Sequence, residues 1–572
     1  MNRNKTKSKN YSRSSKNFNK SKKFQKADTF NKSETQLKDD ELKSSSNDPA
    51  WYSQDEALLR DAAAIPFNWR AGSKIATGLD NSWFAGDTTH VAQLEDDRFP
   101  GICAIPLYPS IGYSDSSQSA VNIAASAMYS FVRHVNSGHK NYDATDLMIY
   151  CLAMSNVYSA LNWLQRLYGI AMQYSQHSMY FPDALIAANG IEPSSLKNNL
   201  ADFRFRLNVM INKAASLAVP ATLPLFKRQA FLYQNIYVEG QSVKDQLYMY
   251  VPAAFYRREV VSNRVQLTCK SFNSNPTTLS TATKALDMVG AMINAVYADE
   301  DCGIISGDIL KAYGLENIIK LQQVEPEYTV APVLDLAVLE QMKNAICIPT
   351  WGAGSIATNN IKEVIPTKVV DEQLESPWLE CKPEIFHGLT DVPDEWDSVN
   401  VNPFYVWNAY RGNRNILTSS LNPTPAIVIE NTRLQIVVEA TEQPSNPNGL
   451  CIYGGSEIAG PFRIFNNPID PVFVVPQYTY LQVVDTTLGK NGTSLYAKLN
   501  NLASFKFHPQ MLMLEVYYDE NQKKYYLAND GYTTDFDNYA IVSTEEMKRL
   551  HETAILSELH VPHIGQSSMM HR

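Results

Sequence analysis

Apolar side chains recur at alternating steps of four and three along residues 194–217, a spacing typical of one buried face of an α-helix. The stripe consists of Leu196, Leu200, Phe203, Leu207, Met210, Ala214 and Leu217. Polar side chains fall between these positions, Ser194 can cap the start, and Pro220 ends the pattern. We therefore predict an amphipathic helix over residues 194–217, with this stripe in the protein core.

The same spacing marks much of residues 120–350. A second long helix is predicted from Asp143 to about Tyr174, with only Gln165 interrupting its apolar face. Shorter helices are predicted in PDALIAANG (182–190), in 278–297, in SGDILKAYG (306–314) and in 333–346. This part of the chain is therefore predicted to be α-helical.

After residue 350 the pattern changes to short alternating runs between Pro, Asn and Gly. AIVIENTRLQIVVEA (426–440) alternates as a half-buried strand does, and further strands are predicted in TYLQVVD (479–485) and MLMLEVYYD (511–519). Ser543 and Glu546 have the spacing of a capping box before a last helix. We predict an α+β fold with a helical domain at 49–350, a β-rich domain at 351–502, and a C-terminal part at 503–572 that rejoins the helical domain.

The first 26 residues have a different character. They contain ten Lys or Arg and no Asp or Glu, whereas removing ten from the 50 basic residues of the whole chain leaves 40 against 59 acidic ones, a net charge of −19. Such a segment cannot bury enough apolar surface to fold, so we predict that residues 1–48 form a disordered basic arm. The basic residues are Arg3, Lys5, Lys7, Lys9, Arg13, Lys16, Lys20, Lys22, Lys23 and Lys26.

The spacing of these charges favours binding to a nucleic acid. A flexible chain can lay cations along a phosphate backbone, and Tyr11, Phe18 and Phe24 can stack on exposed bases. A solubilising or localisation tail is the alternative. No signal or transit peptide is recognisable, and no run approaches 18 apolar residues, so no membrane-spanning helix is predicted. The seven cysteines occur singly, as expected for reduced thiols in a cytosol-like compartment.

Motifs for catalysis are weak. No phosphate-binding G-x-x-x-x-G-K-[ST] run occurs, and WGAGSIA (351–357) and YGGSEIAGPF (453–462) are interpreted as turns. His560 and His563 are interpreted as surface residues, Asp299-Glu300-Asp301 as a solvated helix end, and His551 as packed or capping. We predict no catalytic residue, no metal site and no cofactor.

Several stretches resemble the capsid proteins of picobirnaviruses, which are small viruses with segmented double-stranded RNA. The similarity covers roughly residues 115–350 and 503–557, and none is recognisable between 350 and 500. The stretches are NVYSALNWLQRLYG (156–169), LADFRFRLNVMINKAASLAVPATLPLFKRQAFLYQNIY (200–237), LYMYVPAAFY (247–256), GIISGDILKAYG (303–314) and RLHETAILS (549–557).

This resemblance implies a structural capsid protein that self-assembles as dimers into an icosahedral shell of sixty dimers, or 120 copies, in the virion. Residues 49–350 and 503–572 would form the shell domain and 351–502 a projecting domain. The basic arm would face genomic double-stranded RNA inside the shell and tether it without sequence preference, and assembly would take place in the host cytoplasm. A cellular RNA-binding scaffold and an enzyme with an unrecognised site are the alternatives.

Overall fold

The computed structural model describes the following parts of the chain: residues 55–64, 101–136, 142–173, 180–241, 245–272, 279–348, 359–366, 369–370, 373–374, 376–386, 414–420, 422–440, 449–460, 462–465, 473–474, 478–482, 502–510, 512–519, 524–532 and 538–561. The chain divides into two units, residues 1–69 and 70–572. In the first unit, helix α1 (Glu56–Ala63) begins at Asp55, whose carboxylate accepts two backbone N–H groups of the first turn. The other described elements belong to the second unit.

Helices dominate the sequence as far as residue 343, and strands are frequent after it. The helices of the second unit are α2 (Ala120–Val135), α3 (Ala144–Met172), α4 (Tyr180–Ala188), α5 (Pro193–Lys197), α6 (Leu200–Ala214), α7 (Pro224–Leu232), α8 (Ala282–Tyr297), α9 (Glu300–Tyr313), α10 (Leu336–Lys343), α11 (Pro425–Asn431) and α12 (Thr544–Glu558), with a 3₁₀ turn at Leu315–Asn317. The strands are β1 (Ile102–Pro109), β2 (Tyr237–Val238), β3 (Leu247–Pro252), β4 (Ala254–Val261), β5 (Arg264–Ser271), β6 (Ile361–Val364), β7 (Val369–Val370), β8 (Gln373–Leu374), β9 (Trp378–Glu380), β10 (Glu384–Phe386), β11 (Arg414–Thr418), β12 (Val437–Ala440), β13 (Gly449–Tyr453), β14 (Glu457–Ala459), β15 (Arg463–Phe465), β16 (Phe473–Val474), β17 (Tyr478–Gln482), β18 (Leu512–Asp519), β19 (Lys524–Tyr532) and β20 (Tyr539–Ser543). The α+β prediction is confirmed.

Helix α3 is the centre of the helical part. It is 29 residues long, and α2, α6, α7, α8 and β4 pack around it. Gly169 lets the chain at Val330 come close, because a β-carbon there would lie 2.6 Å from the Val330 side chain. By length and composition α3 could span a membrane, but 94% of its apolar window is buried inside the protein. It is therefore a core helix.

Most of the predicted helices are confirmed, with two changes of boundary. The 194–217 stripe forms two helices, α5 and α6, because Asn198 and Asn199 interrupt it. Phe203, Leu207 and Ala214 are buried as predicted, whereas Leu200 and Met210 are only half-buried. Helix α9 begins before SGDILKAYG, at Glu300, because Asp299 accepts the backbone N–H of Cys302 at 3.0 Å. The capping box at the start of α12 is present.

A buried sheet crosses the helical part in the order β16–β15–β1–β3–β2, with β14 also paired to β1. Strands β1 and β3 are parallel, whereas β14 and β15 run antiparallel to β1. All eight residues of β1 are buried, which explains a continuous apolar run without alternation. The sheet thus pairs residues near 105 with residues near 460.

A second sheet has the order β4–β5–β6–β9. Its β4–β5 hairpin closes through Ser262 and Asn263, both with positive φ (53° and 61°), the conformation that a two-residue hairpin turn requires. Strand β6 then adds residues 361–364 to this hairpin. Smaller sheets are β10–β13–β12, β17–β18–β19, β11–β20 and β7–β8.

The expected domain boundary at residue 350 does not separate the sheets. Both larger sheets contain strands from each side of it, and two buried asparagines add further links. Asn122 binds both backbone polar groups of Leu379, at 2.8 and 3.1 Å, and Asn344 binds both of Thr418, at 2.7 and 2.9 Å. The separation of a projecting domain at 351–502 stays a prediction, but much of that segment is integrated with the helical part.

The strand predicted over residues 426–440 is wrong in its first half. Residues 425–431 form helix α11, because Thr424 accepts the backbone N–H of Ile427 and Pro425 occupies the first turn. Residues 431–438 are buried without alternation, including Arg433 and Gln435. Only 437–440 form a strand, β12. Local capping and two-sided burial override the period-two pattern here.

Candidate functional site

The ten basic residues predicted to bind nucleic acid lie outside the described residues. Their assignment stays a prediction. Residue His563 and the WGAGSIA segment also lie outside the described part.

The acidic run at 299–301 is a solvated helix end, as predicted. Asp299 caps α9 and pairs with Arg258 at 2.8 Å, while Glu300 and Asp301 are exposed in the first turn. His560 is exposed just after α12. Within the described part of the chain, no three His, Cys, Asp or Glu side chains come together as a metal site would require. These residues lie at helix ends and on the surface.

The seven cysteines are free thiols, six of them buried and Cys269 half-buried. Burial raises the pKa of Cys269, Cys302 and Cys381 to about 12 and that of Cys451 to about 11. A nucleophilic cysteine needs the opposite shift, toward the thiolate. The cysteines therefore act as small core residues.

The most concentrated buried charge in the described structure is an ionic cluster that the sequence did not reveal. It joins α7, the start of β14, the segment that follows α11 and the end of α12. Arg228 donates from Nη2 to Glu457 Oε2 at 2.7 Å and from Nε to the same oxygen at 3.1 Å. Its Nε also lies 3.6 Å from Glu558 Oε1, and Arg433 Nη1 lies 4.0 Å from that oxygen.

Neutral side chains complete the cluster around Glu457. Its Oε1 accepts from Gln229 Nε2 and from Ser456 Oγ, both at 2.8 Å. Gln229 in turn accepts the hydroxyl of Ser159, on α3, at 3.0 Å. The Glu457 side chain is only 2% exposed. The hydrogen bonds and the opposite charge of Arg228 offset the loss of hydration of this buried side chain.

The pKa values follow from this packing. Burial alone would lower the pKa of Arg228, but the carboxylates of Glu457 and Glu558 outweigh it and raise the pKa above its ordinary value. Burial and the neighbouring Glu457 raise the pKa of Glu558. Burial lowers the pKa of Arg433 to about 10. The cluster holds two cations and two carboxylates together and stabilises the contact of chain segments more than 200 residues apart.

His551 is packed beside this cluster, as predicted, with Nδ1 3.3 Å from Arg433 Nη2. Because Arg433 can only donate, Nδ1 accepts, and the ring is neutral. Burial and the positive charge of Arg433 lower the pKa of His551 to about 3. A group that cannot take a proton in the folded state makes folding pH-dependent.

We expect the fold to lose about 2 kcal/mol of stability through His551 as the pH falls from 7.5 to 5. In that range the unfolded chain protonates the imidazole, whose ordinary pKa is 6.5, whereas the folded chain does not until about pH 3. His551→Gln removes this contribution, so urea unfolding of the variant should show a smaller loss between the two pH values. His560→Gln, at an exposed site, is the matched control and should leave the loss unchanged. An equal loss in wild type and His551→Gln would contradict the assignment.

A second buried cation, Arg166 on α3, has only neutral partners. Its Nη2 donates to Asn189 Oδ1 at 2.6 Å and to the carbonyl of Tyr250 at 2.8 Å, and its Nη1 donates to the carbonyl of Asn235 at 3.1 Å. The side chain is fully buried, and burial lowers its pKa to about 10. Arg166 therefore fixes α3 against the neighbouring loop and strand.

Comparison with known proteins assigns the chain to the class of viral capsid proteins. A sequence model of the picobirnavirus capsid protein family matches residues 51–405. The capsid protein precursor of a human picobirnavirus is 25% identical over 539 residues, which cover 91% of this chain and 92% of the relative. The X-ray crystallographic structure of the picobirnavirus capsid has the same fold, with a TM-score of 0.69, 20% identity, and coverage of 91% of this chain and 100% of the solved chain.

This chain belongs to the picobirnavirus capsid protein family. Its role is therefore structural and not enzymatic, and a capsid protein is a component of the virion. The resemblance stated from the sequence is confirmed, and it extends further than expected, since the family match continues past residue 350 to 405. The resemblance also implies dimers, RNA contacts and a shell symmetry, and these are proposals.

Proposed function

We propose that copies of this chain assemble as dimers into an icosahedral shell of sixty dimers, or 120 copies, around double-stranded RNA. The observation that carries the proposal is the extent of the family match. It begins at residue 51 and covers the helical part, and the human picobirnavirus relative and the solved capsid chain each align with 91% of this chain. A fold shared with a solved capsid chain over 91% of this chain supports a role as a shell subunit.

We propose that the arm of residues 1–48 lies inside the shell and holds the RNA. Residues 27–572 carry a net charge of −19, so phosphate is repelled by the body and attracted by the ten arm cations. In 120 copies these cations number about 1,200, whereas a duplex just long enough to encode the 572 residues carries about 3,400 phosphates. The arms neutralise about a third of that charge, and small cations balance the rest.

We further propose that assembly takes place in the host cytoplasm and that outward projections come from 351–502. Only the part of that segment outside the two shared sheets is free to project. Strands β6, β14 and β15 pair with strands of the helical part, and β9 and β16 extend the same two sheets. These strands belong with the wall of the shell.

Deleting residues 2–26 tests the RNA assignment. We expect particles that still form but co-purify with at least about tenfold less RNA, because nonspecific affinity depends on the number of cations that meet phosphates. RNA content is measured from the ratio of absorbance at 260 and 280 nm in gradient-purified particles, at two salt concentrations.

The matched control is a variant in which residues 2–26 are permuted with their composition unchanged. Phosphate attraction carries no sequence information, so the permuted arm should retain the RNA content of the wild type. Equal RNA content in wild-type and deleted particles would contradict the assignment, and loss of RNA in the permuted variant would indicate sequence recognition instead.

A further inference from the structure

The outer face of α6 carries a second stripe of side chains, which faces away from the core. Its inner side chains are buried, whereas Phe205 is 66% and Val209 is 51% exposed. Asp202 and Lys213 complete the stripe at spacings of three, four and four, so the four side chains share one sector of the helix surface. The order along the helix is acid, aromatic, aliphatic, base.

The two charges of the stripe lack opposite charges of their own within the described structure. Asp202 is exposed and has no ion-pair partner among the described residues. The Lys213 ammonium meets only neutral groups, the amide oxygen of Asn294 and the ring of Tyr297, whose centroid lies 4.5 Å away. Tyr297 is itself 51% exposed and extends the apolar surface onto α8. By contrast, the neighbouring Arg206 is already paired with Asp287 at 2.6 Å.

The stripe is complementary to itself when reversed. The midpoint between positions 205 and 209 is residue 207, and the midpoint between positions 202 and 213 lies almost at the same residue. If two copies of α6 cross antiparallel about a twofold axis at residue 207, Phe205 of one copy faces Val209 of the other. Asp202 then faces Lys213 at both ends, about 16 Å apart along the helix. Antiparallel helices at 8–10 Å allow both contacts.

From this arrangement we propose that the outer face of α6 is a twofold contact between two copies of this chain. The proposal rests on the proposed self-assembly and names one of its surfaces. A twofold contact requires that one patch complement itself, and the order of charges on this helix does so. Nucleic acid is disfavoured as the partner, because Asp202 and Asp287 are both exposed on this side.

A charge swap on the full-length chain tests the proposal. Asp202→Lys and Lys213→Glu each place like charges at both ends of the contact, so each single variant should raise the dimer dissociation constant at least about tenfold. The double variant restores opposite charges and should return to within about threefold of the wild type. Dimerisation is measured by analytical ultracentrifugation, and particles are counted by electron microscopy.

Two further variants serve as controls. Phe205→Asp changes an exposed side chain and should weaken the dimer while leaving the unfolding transition in place. Glu552→Lys reverses an exposed charge on α12, which does not pack against α6 or α8, and should leave dimerisation unchanged.

The outcomes separate this proposal from the proposed function. If the wild type forms particles and the single variants dimerise normally, the α6 contact alone is overturned. A double variant that dimerises no better than the single variants would overturn it as well. Loss of RNA content rather than of dimers in the single variants would also overturn it and indicate a nucleic-acid surface. A wild type that forms neither dimers nor particles would overturn the proposed function as well.

Discussion

Arg228→Met is expected to lower the free energy of unfolding by about 3–5 kcal/mol. The substitution leaves Glu457, whose side chain is 2% exposed, and Glu558, 11% exposed, without their nearest cation. A buried carboxylate that loses its cation costs far more than the ion pair contributes, because the charge cannot return to water. Urea unfolding followed by tryptophan fluorescence measures the change.

Two further variants make this expectation specific. Lys227→Met, the adjacent residue on α7, changes an exposed side chain and should alter stability by less than about 0.5 kcal/mol. The double variant Arg228→Met, Glu457→Gln also removes one of the two carboxylates that lose their cation. Its free energy of unfolding should therefore be higher than that of Arg228→Met alone. A single variant as stable as Lys227→Met would show that the cluster is not needed to join α7 to β14 and α12.

Leu207→Asp is expected to destabilise the protein by at least about 4 kcal/mol and to abolish soluble expression at 37 °C. Leu207 is fully buried, as are Phe203 and Ile211 on the same helix, so the carboxylate would have no hydration. Val209→Asp, two residues along the same helix and 51% exposed, is the control and should express normally. A soluble Leu207→Asp variant with a native unfolding transition would show that this face of α6 is not core.

Local spacing predicts helices such as α6 well because their burial is one-sided. The stripe of α6, the start of α3 at Asp143 and the capping box of α12 all depend on residues at most four positions apart. The strand pattern at 426–440 fails because burial there is not one-sided. Burial there comes from α12 and α10, which are distant in sequence. The spacing of apolar residues therefore no longer indicates which side of the segment faces the core.

The buried cluster could not be predicted from the sequence. Arg228, Glu457 and Glu558 are separated by at least 101 residues, and each reads as an ordinary surface charge in its own segment. Only the pairing of β14 with β1 and the packing of α12 on α7 bring them together. The segment YGGSEIAGPF, interpreted as turns, has a turn only at 454–456, and its residues 457–459 form β14. Similarly, the exposure of Phe205 on α6 follows from which face the helix buries, not from its composition.

We propose that this chain alone builds a closed shell. Electron microscopy and native mass measurement of the full-length protein, expressed without other viral components, test it most directly. The account predicts uniform isometric particles of 120 copies of the 64.2 kDa chain, about 7.7 MDa in total. Monomers or small oligomers, with no closed particles across a range of salt and protein concentrations, would contradict it.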